Sequence, residues 1–280
     1  MVGTMLEDME TPAAPEPSET DPAEAAAAIA PAVLVTGAAR RIGRAIALDL
    51  AAHGWAVAVH HNGSAAAAAD VVEAIVDAGG RAVALACDLA SDLETESLID
   101  AATLALGPLT GLVNNASVFE YDAVGAVTRA GWEAHQQVNL WAPLLLTQGF
   151  ARALPEGVQG GVVNLIDQRV WNLTPHFISY TVSKAGLWTL TRTLAMALAP
   201  QIRVNAVGPG PVQPSRRQSE EHFRRQWGSV PLARPVQPEE IAAAVRFLLE
   251  APSITGQMIA VDGGQHLGQA HRLREEGPSE

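Results

Sequence analysis

The chain has 280 residues and a formal net charge of −12, with 48% hydrophobic and 17% charged residues. This length suits one α/β domain of about 250 residues, and the apolar share is enough to fill its core. The acidic balance argues against a nucleic-acid-binding surface and a polybasic membrane anchor, because both need clustered Lys and Arg. The single cysteine, Cys87, excludes an internal disulfide and a cysteine-cluster metal site, and suits a reducing compartment.

The two ends of the chain differ in composition from its middle. Residues 1–30 contain seven acidic residues, no Lys or Arg, and many Ala and Pro, which is typical of a disordered tail. They lack the positive start of a secretory signal. Residues 267–280 are polar and are expected to form a loose tail. The sequence therefore predicts a cytoplasmic protein with one folded domain over residues 31–266.

Short apolar runs alternate with longer helical patterns through this domain. Continuous apolar runs are typical of strands buried on both faces of a parallel sheet, and seven are found, at 32–36, 56–60, 82–86, 111–114, 161–166, 202–207 and 257–261. Helices are predicted at 42–52, 65–78, 92–104, 132–154, 180–199 and 238–250. Ser64 and Pro238 suit the starts of two of them. The alternation predicts an α/β fold: a single doubly wound (Rossmann) domain with a seven-stranded, mainly parallel sheet.

A glycine-containing turn joins the first predicted strand to the first predicted helix. It runs Thr-Gly-Ala-Ala-Arg-Arg-Ile-Gly over residues 36–43. Glycine lets the backbone approach a pyrophosphate, and the helix N-terminus supplies free N–H groups. We therefore predict nucleotide binding rather than a plain strand-to-helix connection, with Arg41 in the place of the middle glycine of the pattern. The residues assigned to this site are Gly37, Arg40, Arg41, Ile42 and Gly43.

The end of the second predicted strand carries no acidic residue. An Asp or Glu there would bind the ribose 2′-hydroxyl and favour NAD. Its absence near His60, with Arg40 in the turn and Ser64 at a helix start, favours the 2′-phosphate of NADP, although the loop could simply avoid charge. Asp88 and Leu89 follow the third strand and are assigned to the adenine end, although an Asp there is equally suited to cap a helix.

Tyr180 and Lys184 lie four residues apart and so share one helix face. A nearby ammonium stabilises tyrosinate, so we expect Lys184 to lower the pKa of Tyr180 from its usual ~10. Tyr180 would then be a usable general acid at pH 7. The spacing alone is common, but the chain has two tyrosines and one lysine, which makes a chance pairing less frequent.

With these motifs in place, the chain resembles the short-chain dehydrogenase/reductase family across residues 31–266. The further matches are Asn114-Asn115-Ala116, Asn139, Pro209-Gly210 and Asp262-Gly263-Gly264. The resemblance implies that Tyr180 transfers the substrate proton, that Lys184 also binds the nicotinamide ribose, and that Asn139 holds a relay water. It also implies a homodimer or homotetramer, and further cofactor contacts at Asn115, Ala116, Ser117, Pro209 and Gly210.

Asp167 departs from the family pattern, since a Ser normally lies thirteen residues before the tyrosine. An ionised Asp donates no hydrogen bond and would repel the alkoxide that forms when a ketone is reduced. It suits the handling of protons at a ring nitrogen and indicates reduction of a C=N bond in a heterocycle. The alternatives are a degenerate site and a protonated Asp that donates as the Ser does.

Three features are similar to pteridine reductases and bacterial dihydromonapterin reductases: Asp167, Arg41 and residues 115–119. The resemblance implies NADPH-dependent reduction of a dihydropteridine or dihydromonapterin to its tetrahydro form. In that group the residue matching Phe119 stacks on the pterin, and the implied substrate residues are Arg41, Ser117, Phe119, Asp167 and Tyr180. The alternatives are a short-chain reductase or dehydrogenase acting on an ordinary carbonyl or alcohol, and a non-catalytic NADP-binding sensor.

Residues 211–235 are expected to form a flap over the site, because a long insert after a sheet strand often acts as a lid. Arg216, Arg217, Arg224 and Arg225 would meet an anionic substrate tail or form a solvated helix face. The eight histidines show no metal-ligand spacing, so no metal is predicted.

Overall fold

The computed structural model describes residues 30–214 and 218–268. Within them, seven parallel strands form one sheet in the order β3-β2-β1-β4-β5-β6-β7. The strands are β1 (Ala32–Val35), β2 (Ala56–His61), β3 (Ala82–Ala86), β4 (Gly111–Asn114), β5 (Gly160–Leu165), β6 (Ile202–Pro209) and β7 (Met258–Val261). The predicted α/β class, doubly wound topology and seven-stranded sheet are confirmed. The strand order reverses between β1 and β4, and open sheets of this kind bind ligands at the carboxyl ends beside that point.

Burial explains why these runs form strands. Every residue of β1, β2, β4 and β5 is buried, whereas the edge strand β3 is only partly covered. Successive side chains of β1 enter opposite cores: Val33 and Val35 lie in one apolar cluster, Ala32 and Leu34 in the other. Both faces of the sheet are therefore covered, as continuous apolar runs require.

Helices form the two outer layers. They are α1 (Arg41–Ala52), α2 (Ala65–Asp77), α3 (Asp92–Leu106), α4 (Arg129–Gln136), α5 (Ala142–Ala153), α6 (Ile178–Leu198), α7 (Glu220–Gly228) and α8 (Pro238–Glu250). α1, α2 and α8 pack on one face of the sheet, and α3, α5 and α6 on the other. Pro238 is the first residue of α8, as predicted, while Ser64 precedes α2 without capping it through its side chain.

The helix predicted over residues 132–154 is wrong as one element. A π-helical turn, Gln137–Trp141, separates α4 from α5. Pro143 lies in the first turn of α5, and it has no N–H to donate to the carbonyl of Asn139 four residues earlier. The wider turn places the Asn139 side chain inside the protein, where it is fully buried. π-turns of this kind are frequent at functional sites.

Several predictions concern residues outside the described part of the chain. The acidic tail over residues 1–30 lies outside it except for Ala30, the C-terminal tail over 267–280 except for two residues, and Arg216 and Arg217 entirely. Within the predicted flap, α7 exposes Arg224 and Arg225 to solvent, as a solvated helix face does. None of the helices described is both long and apolar enough to cross a membrane.

Candidate active site

The glycine turn after β1 is closely packed against the start of α1. Gly37 has a φ of +63°, and a Cβ at residue 43 would lie 2.2 Å from the Gly37 carbonyl oxygen. No side chain larger than hydrogen fits at Gly43 without moving α1. Arg41, in the place of the middle glycine, also adopts a left-handed conformation with φ 52°. Residue 41 therefore has the left-handed backbone conformation that favours glycine, although it is an arginine in this chain.

Two residues from neighbouring strands hold this turn in place. The Asn115 side chain donates to the carbonyls of Thr36 at 2.7 Å and Gly37 at 3.2 Å. His60 Nδ1 accepts from the Gly37 N–H at 3.0 Å, so Nε2, 3.0 Å from the Cys87 carbonyl, carries the proton. Burial lowers the pKa of His60 and keeps it neutral. His60, predicted to contact a cofactor, thus connects the turn, through Nδ1, to the residue after β3, through Nε2.

The predicted adenine end lies at the carboxyl ends of β2 and β3. Asp88 Oδ1 accepts hydrogen bonds from the Asn62 side chain at 3.1 Å and from the Ala90 N–H at 3.0 Å. The carboxylate thereby links the loops that follow the two strands, and Leu89 beside it is buried. Arg40 is exposed at the start of α1, which follows the strand adjacent to β2.

The structure brings Asp167, Tyr180 and Lys184 together where β5 ends. Tyr180 Oη donates to Asp167 Oδ2 at 3.0 Å, and Lys184 Nζ donates to the Leu165 carbonyl at 2.8 Å. Tyr180 and Lys184 are both buried, and α6 presents them on one face, as their spacing predicts. The arrangement places a phenol, a carboxylate and an ammonium group around one small volume.

The pKa expected for Tyr180 is wrong in direction. Burial raises the pKa of Tyr180 well above its ordinary value, and the negative charge of Asp167 raises it further, while Arg169 lowers it. Where the family has a neutral Ser, this chain has a carboxylate that disfavours a second negative charge. Burial lowers the pKa of Lys184 to about 8.

Asn139 joins the loop after β4 to α6. Its Nδ2 donates to the Val118 carbonyl at 2.9 Å and to Ser183 Oγ at 3.1 Å. Its Oδ1 accepts from the Val118 N–H at 2.8 Å and from Ser117 Oγ at 3.1 Å. The side-chain amide is therefore saturated by protein groups. A relay water would have to bind the main-chain carbonyl, to which Pro143 offers no N–H.

A second set of buried hydrogen bonds also joins the loop after β4 to α6, one helical turn before those of Asn139. The sequence analysis did not predict it. His135 Nε2 accepts from the Glu120 N–H at 3.1 Å, so Nδ1 carries the proton and donates to Ser179 Oγ at 2.7 Å. Ser179 Oγ donates in turn to Asp122 Oδ2. All three side chains are buried. The sequence contained one sign of this connection. His135 lies four residues before Asn139, and its partner Ser179 lies four residues before Ser183, the partner of Asn139.

An aromatic group borders the phenol. The rings of Phe119 and Phe177 stack with centroids 4.5 Å apart and an interplanar angle of 7°, and Phe119 meets Tyr180 edge to face at 4.7 Å. The guanidinium carbon of Arg169 lies 5.4 Å and 4.9 Å from the Phe119 and Phe177 ring centroids. Phe177 and Arg169 were also missed, because nothing in their local sequence indicates that they meet Phe119.

The loop after β6 closes the other side of the site. Arg41 donates to the carbonyls of Pro214 at 2.9 Å and Gln213 at 3.1 Å. A Cβ at Gly210 would lie 2.5 Å from Asp262 Cα, so the Pro209-Gly210 segment packs directly on the Asp262 turn. The predicted Arg41, at the start of α1, thus contacts the loop that follows the predicted Gly210.

Two observations indicate that the residues of this site fit a bound dinucleotide. The start of α1 lies against a glycine turn with no room for side chains, which is the arrangement that exposes N–H groups to a pyrophosphate. Among the described residues, Leu165 provides the hydrogen-bond acceptor of Lys184 Nζ, and two of the three ammonium N–H groups stay available for ribose hydroxyls. The described residues contain no group of three or more His, Cys, Asp or Glu suited to a metal.

Comparison with known proteins agrees with this geometry. A family profile described as enoyl-(acyl carrier protein) reductase matches residues 37–266. A short-chain type dehydrogenase/reductase of Picea abies is 33% identical over 246 residues, covering 83% of this chain and 91% of that protein. The 3-oxoacyl-[acyl-carrier-protein] reductase of Synechocystis is 34% identical over 235 residues, covering 82% and 95%. The chain belongs to the short-chain dehydrogenase/reductase family, whose members are oxidoreductases.

One solved structure is more similar still. It is the crystal structure of FolM alternative dihydrofolate reductase 1 from Brucella canis complexed with NADP, which is 50% identical to this chain with a TM-score of 0.82. The match covers 89% of this chain and 96% of that one.

Proposed function

We propose that this chain catalyses the NADPH-dependent reduction of a pterin-type C=N bond, converting a dihydropteridine or dihydromonapterin to the tetrahydro form. The observation that carries the proposal is the 3.0 Å hydrogen bond from Tyr180 to Asp167. A carboxylate in this place accepts N–H groups from a heterocycle and opposes an alkoxide. The 50% identity to a protein called an alternative dihydrofolate reductase supports the same substrate class.

The cofactor is NADPH. The Brucella canis structure contains NADP, and the loop after β2 lacks the acid that would favour NAD. NADPH supplies a hydride when bound. We assign its phosphates and adenosine to Gly37, Arg40, Arg41, Ile42, Gly43, Ser64, Asp88 and Leu89, with His60 behind the turn. We assign its nicotinamide end to Asn115, Ala116, Ser117, Tyr180, Lys184, Pro209 and Gly210.

Reduction also needs a proton at the ring nitrogen, and we assign it to Tyr180 Oη. Burial and Asp167 raise the pKa of Tyr180, so the hydroxyl is protonated at neutral pH. Such a phenol is a weak acid and gives its proton only to a strong base, which the nitrogen of a C=N bond becomes as its carbon is reduced. Asp167 receives hydrogen bonds from the phenol and from a substrate N–H, and orients both.

Phe119 offers a surface for a flat heterocycle. Phe177 covers one of its faces at 4.5 Å, which holds the ring in place while it keeps a partly exposed surface. Aromatic faces stack well on planar rings. Ser117, held by Asn139, and Arg41 complete the substrate residues that we propose.

The test is NADPH oxidation by the purified protein, offered dihydromonapterin, dihydrobiopterin, dihydrofolate and a panel of simple ketones. We expect turnover of a reduced pterin and little activity on ketones. Tyr180→Phe should be nearly inactive on every substrate, because the proton donor is removed. Ketone turnover without pterin turnover would contradict the proposal, and full activity of Tyr180→Phe would exclude Tyr180 as the acid.

A second candidate function is reduction of an ordinary carbonyl, favoured by the similarity to the Synechocystis 3-oxoacyl reductase. It requires a hydrogen-bond donor at residue 167, and an ionised Asp is not one. The same substrate panel separates the two functions.

We further propose a cytoplasmic homodimer or homotetramer built on the folded domain at residues 31–266. A groove of about 1040 Å³ runs between α4, the π-turn, α5 and α6, and is lined in part by Trp132, Trp141 and Leu190. An apolar groove of this size suits burial against another copy. Light scattering on the purified protein should give two or four times the chain mass, and a monomer at all concentrations would contradict this.

A further inference from the structure

Arg169 lies beside the proposed reaction site. It belongs to a short 3₁₀ turn, Gln168–Val170, that follows Asp167. Its Nη1 is 3.3 Å from Asp167 Oδ2, the same oxygen that accepts from Tyr180. With 18% of its side chain exposed, Arg169 points inward and not into solvent.

The guanidinium of Arg169 is poorly satisfied by the protein. It has five N–H donors, and among the described residues its side-chain hydrogen-bond partner is Asp167, at 3.3 Å. Charge-assisted hydrogen bonds are usually ~2.7–2.9 Å long. Arg203, a partly buried arginine elsewhere in the chain, donates instead to the carbonyls of Leu248, Leu249 and Ile254. Arg203 uses its donors within the protein, as buried donors normally do. The remaining donors of Arg169 are not among the buried unpaired atoms of the described residues, so they face the opening of the site, where a substrate acceptor can replace water.

The aromatic pair fixes where those donors lie. The guanidinium carbon is 4.9 Å from the Phe177 ring centroid and 5.4 Å from that of Phe119, distances typical of cation–π contacts. Arg169 is therefore held beside the ring on which the proposed substrate stacks. A hydrogen-bond acceptor on that substrate would be within reach of a preorganised planar fork.

We infer that Arg169 is a substrate-binding residue that selects heterocycles carrying a carbonyl oxygen on the ring edge next to an N–H group. This inference rests on the proposed pterin reductase function. Asp167 accepts from the nitrogen and Arg169 donates to the oxygen, so the two side chains together match the N–H and C=O of a lactam edge. A simple ketone has an acceptor but no N–H, and it leaves Asp167 without a substrate partner.

The positive charge of Arg169 has a second effect, on the proposed proton donor Tyr180. Arg169 lowers the pKa of Tyr180 and so offsets part of the effect of Asp167. A substrate oxygen that accepts a hydrogen bond from Arg169 therefore also affects the pKa of Tyr180.

The experiment compares Arg169→Gln with wild type, using two ligands in the presence of NADP⁺: pterin, and 2-aminopteridine, which lacks both the carbonyl oxygen and the adjacent ring N–H. Calorimetry measures the dissociation constants. We expect wild type to bind pterin more than about tenfold more tightly than 2-aminopteridine, because the hydrogen bonds to Arg169 and to Asp167 are both lost. Arg169→Gln should bind pterin about tenfold more weakly and 2-aminopteridine with nearly wild-type affinity, so that the preference falls about tenfold. Arg169→Lys, which keeps the charge without the fork, should recover affinity only in part.

Arg192→Gln is the matched control. Arg192 also lies over an aromatic ring, 5.6 Å from the Trp188 centroid, but outside the site. It should change pterin affinity less than twofold, and both Gln variants should keep the NADP⁺ affinity and unfolding temperature of wild type. If wild type binds and reduces pterins but Arg169→Gln keeps the full wild-type preference for pterin over 2-aminopteridine, the inference alone is wrong. If wild type neither binds nor reduces a pterin, the proposed function is wrong and the inference with it.

Discussion

The Tyr180 hydroxyl donates a hydrogen bond to Asp167 across 3.0 Å, so the proposed acid of this site is held by a carboxylate at the position where the family pattern has a serine. In the function that we propose, this pair separates the site from one suited to ketones. Burial raises the pKa of Tyr180, and Asp167 raises it further, although an ammonium group lies on the same helix face.

Asp167→Ser should lower pterin turnover by more than tenfold and leave NADPH affinity nearly unchanged. The substitution removes the acceptor for the substrate N–H, while the glycine turn that holds the phosphates is untouched. Steady-state kinetics and NADPH fluorescence titration measure the two effects. Asp167→Asn is the control of equal size, and it should be similarly impaired because it lacks the charge. Unchanged pterin turnover in either variant would exclude Asp167 from proton handling.

Lys184→Met should abolish activity and yet preserve or raise stability at neutral pH, because a buried charge is replaced by an apolar chain of similar length. The folded protein releases the Lys184 proton near pH 8, whereas an unfolded lysine holds it to about pH 10.4. Between these values the unfolded chain binds more protons, so rising pH stabilises the wild-type fold.

Urea unfolding at several pH values measures this effect. The difference in free energy of unfolding between Lys184→Met and wild type should shrink from pH 8 to pH 10. A constant difference over this range would show that Lys184 does not have the lowered pKa.

His135→Ala should destabilise the fold by about 1–3 kcal/mol, because Ser179 and the Glu120 N–H lose a buried partner. It should also reduce kcat, since Ser179 immediately precedes Tyr180 and is tied to the loop that carries Phe119. His53→Ala is the control, because the His53 side chain is 45% exposed and pairs only with Asp49 at the surface. Equal effects of the two substitutions on urea unfolding would argue against the buried connection.

Gly43→Ala should weaken NADPH binding strongly, because its Cβ would lie 2.2 Å from the Gly37 carbonyl oxygen and α1 would have to move. Gly131→Ala is a suitable control. There the nearest atom to the new Cβ is the Thr128 hydroxyl at 3.2 Å, and alanine favours the helix. Fluorescence titration with NADPH separates the two. Wild-type affinity in Gly43→Ala would mean that the turn is not the cofactor site.

Local patterns predicted most of the fold. Apolar runs predicted the strands within two residues at each end, because every strand except the two edge strands, β3 and β7, is largely buried on both faces. The four-residue spacing of Tyr180 and Lys184 gave their common helix face. The break at Gln137–Trp141 was not predicted, because the apolar pattern continues across it, although Pro143 is a residue that favours the first turn of a separate helix.

The remaining features depend on contacts between distant segments. Arg169 meets Phe119, and His135 meets Ser179, across at least forty-four positions of sequence. The direction of the Tyr180 pKa follows from burial, which a motif does not report. Asp167, together with Arg41 and residues 115–119, was the sequence signal for the proposed C=N chemistry, because it replaces a serine of the family pattern.

Cys87 is buried at the end of β3, and burial raises the pKa of its thiol to about 11. At neutral pH almost none of it is thiolate, the form that reacts with maleimides and disulfides. A cysteine introduced on the exposed face of α7, for example Arg224→Cys, would therefore be the preferred attachment point for a dye on the folded protein. The native chain is already a usable background for fluorescence work on the proposed flap, without prior removal of its own cysteine.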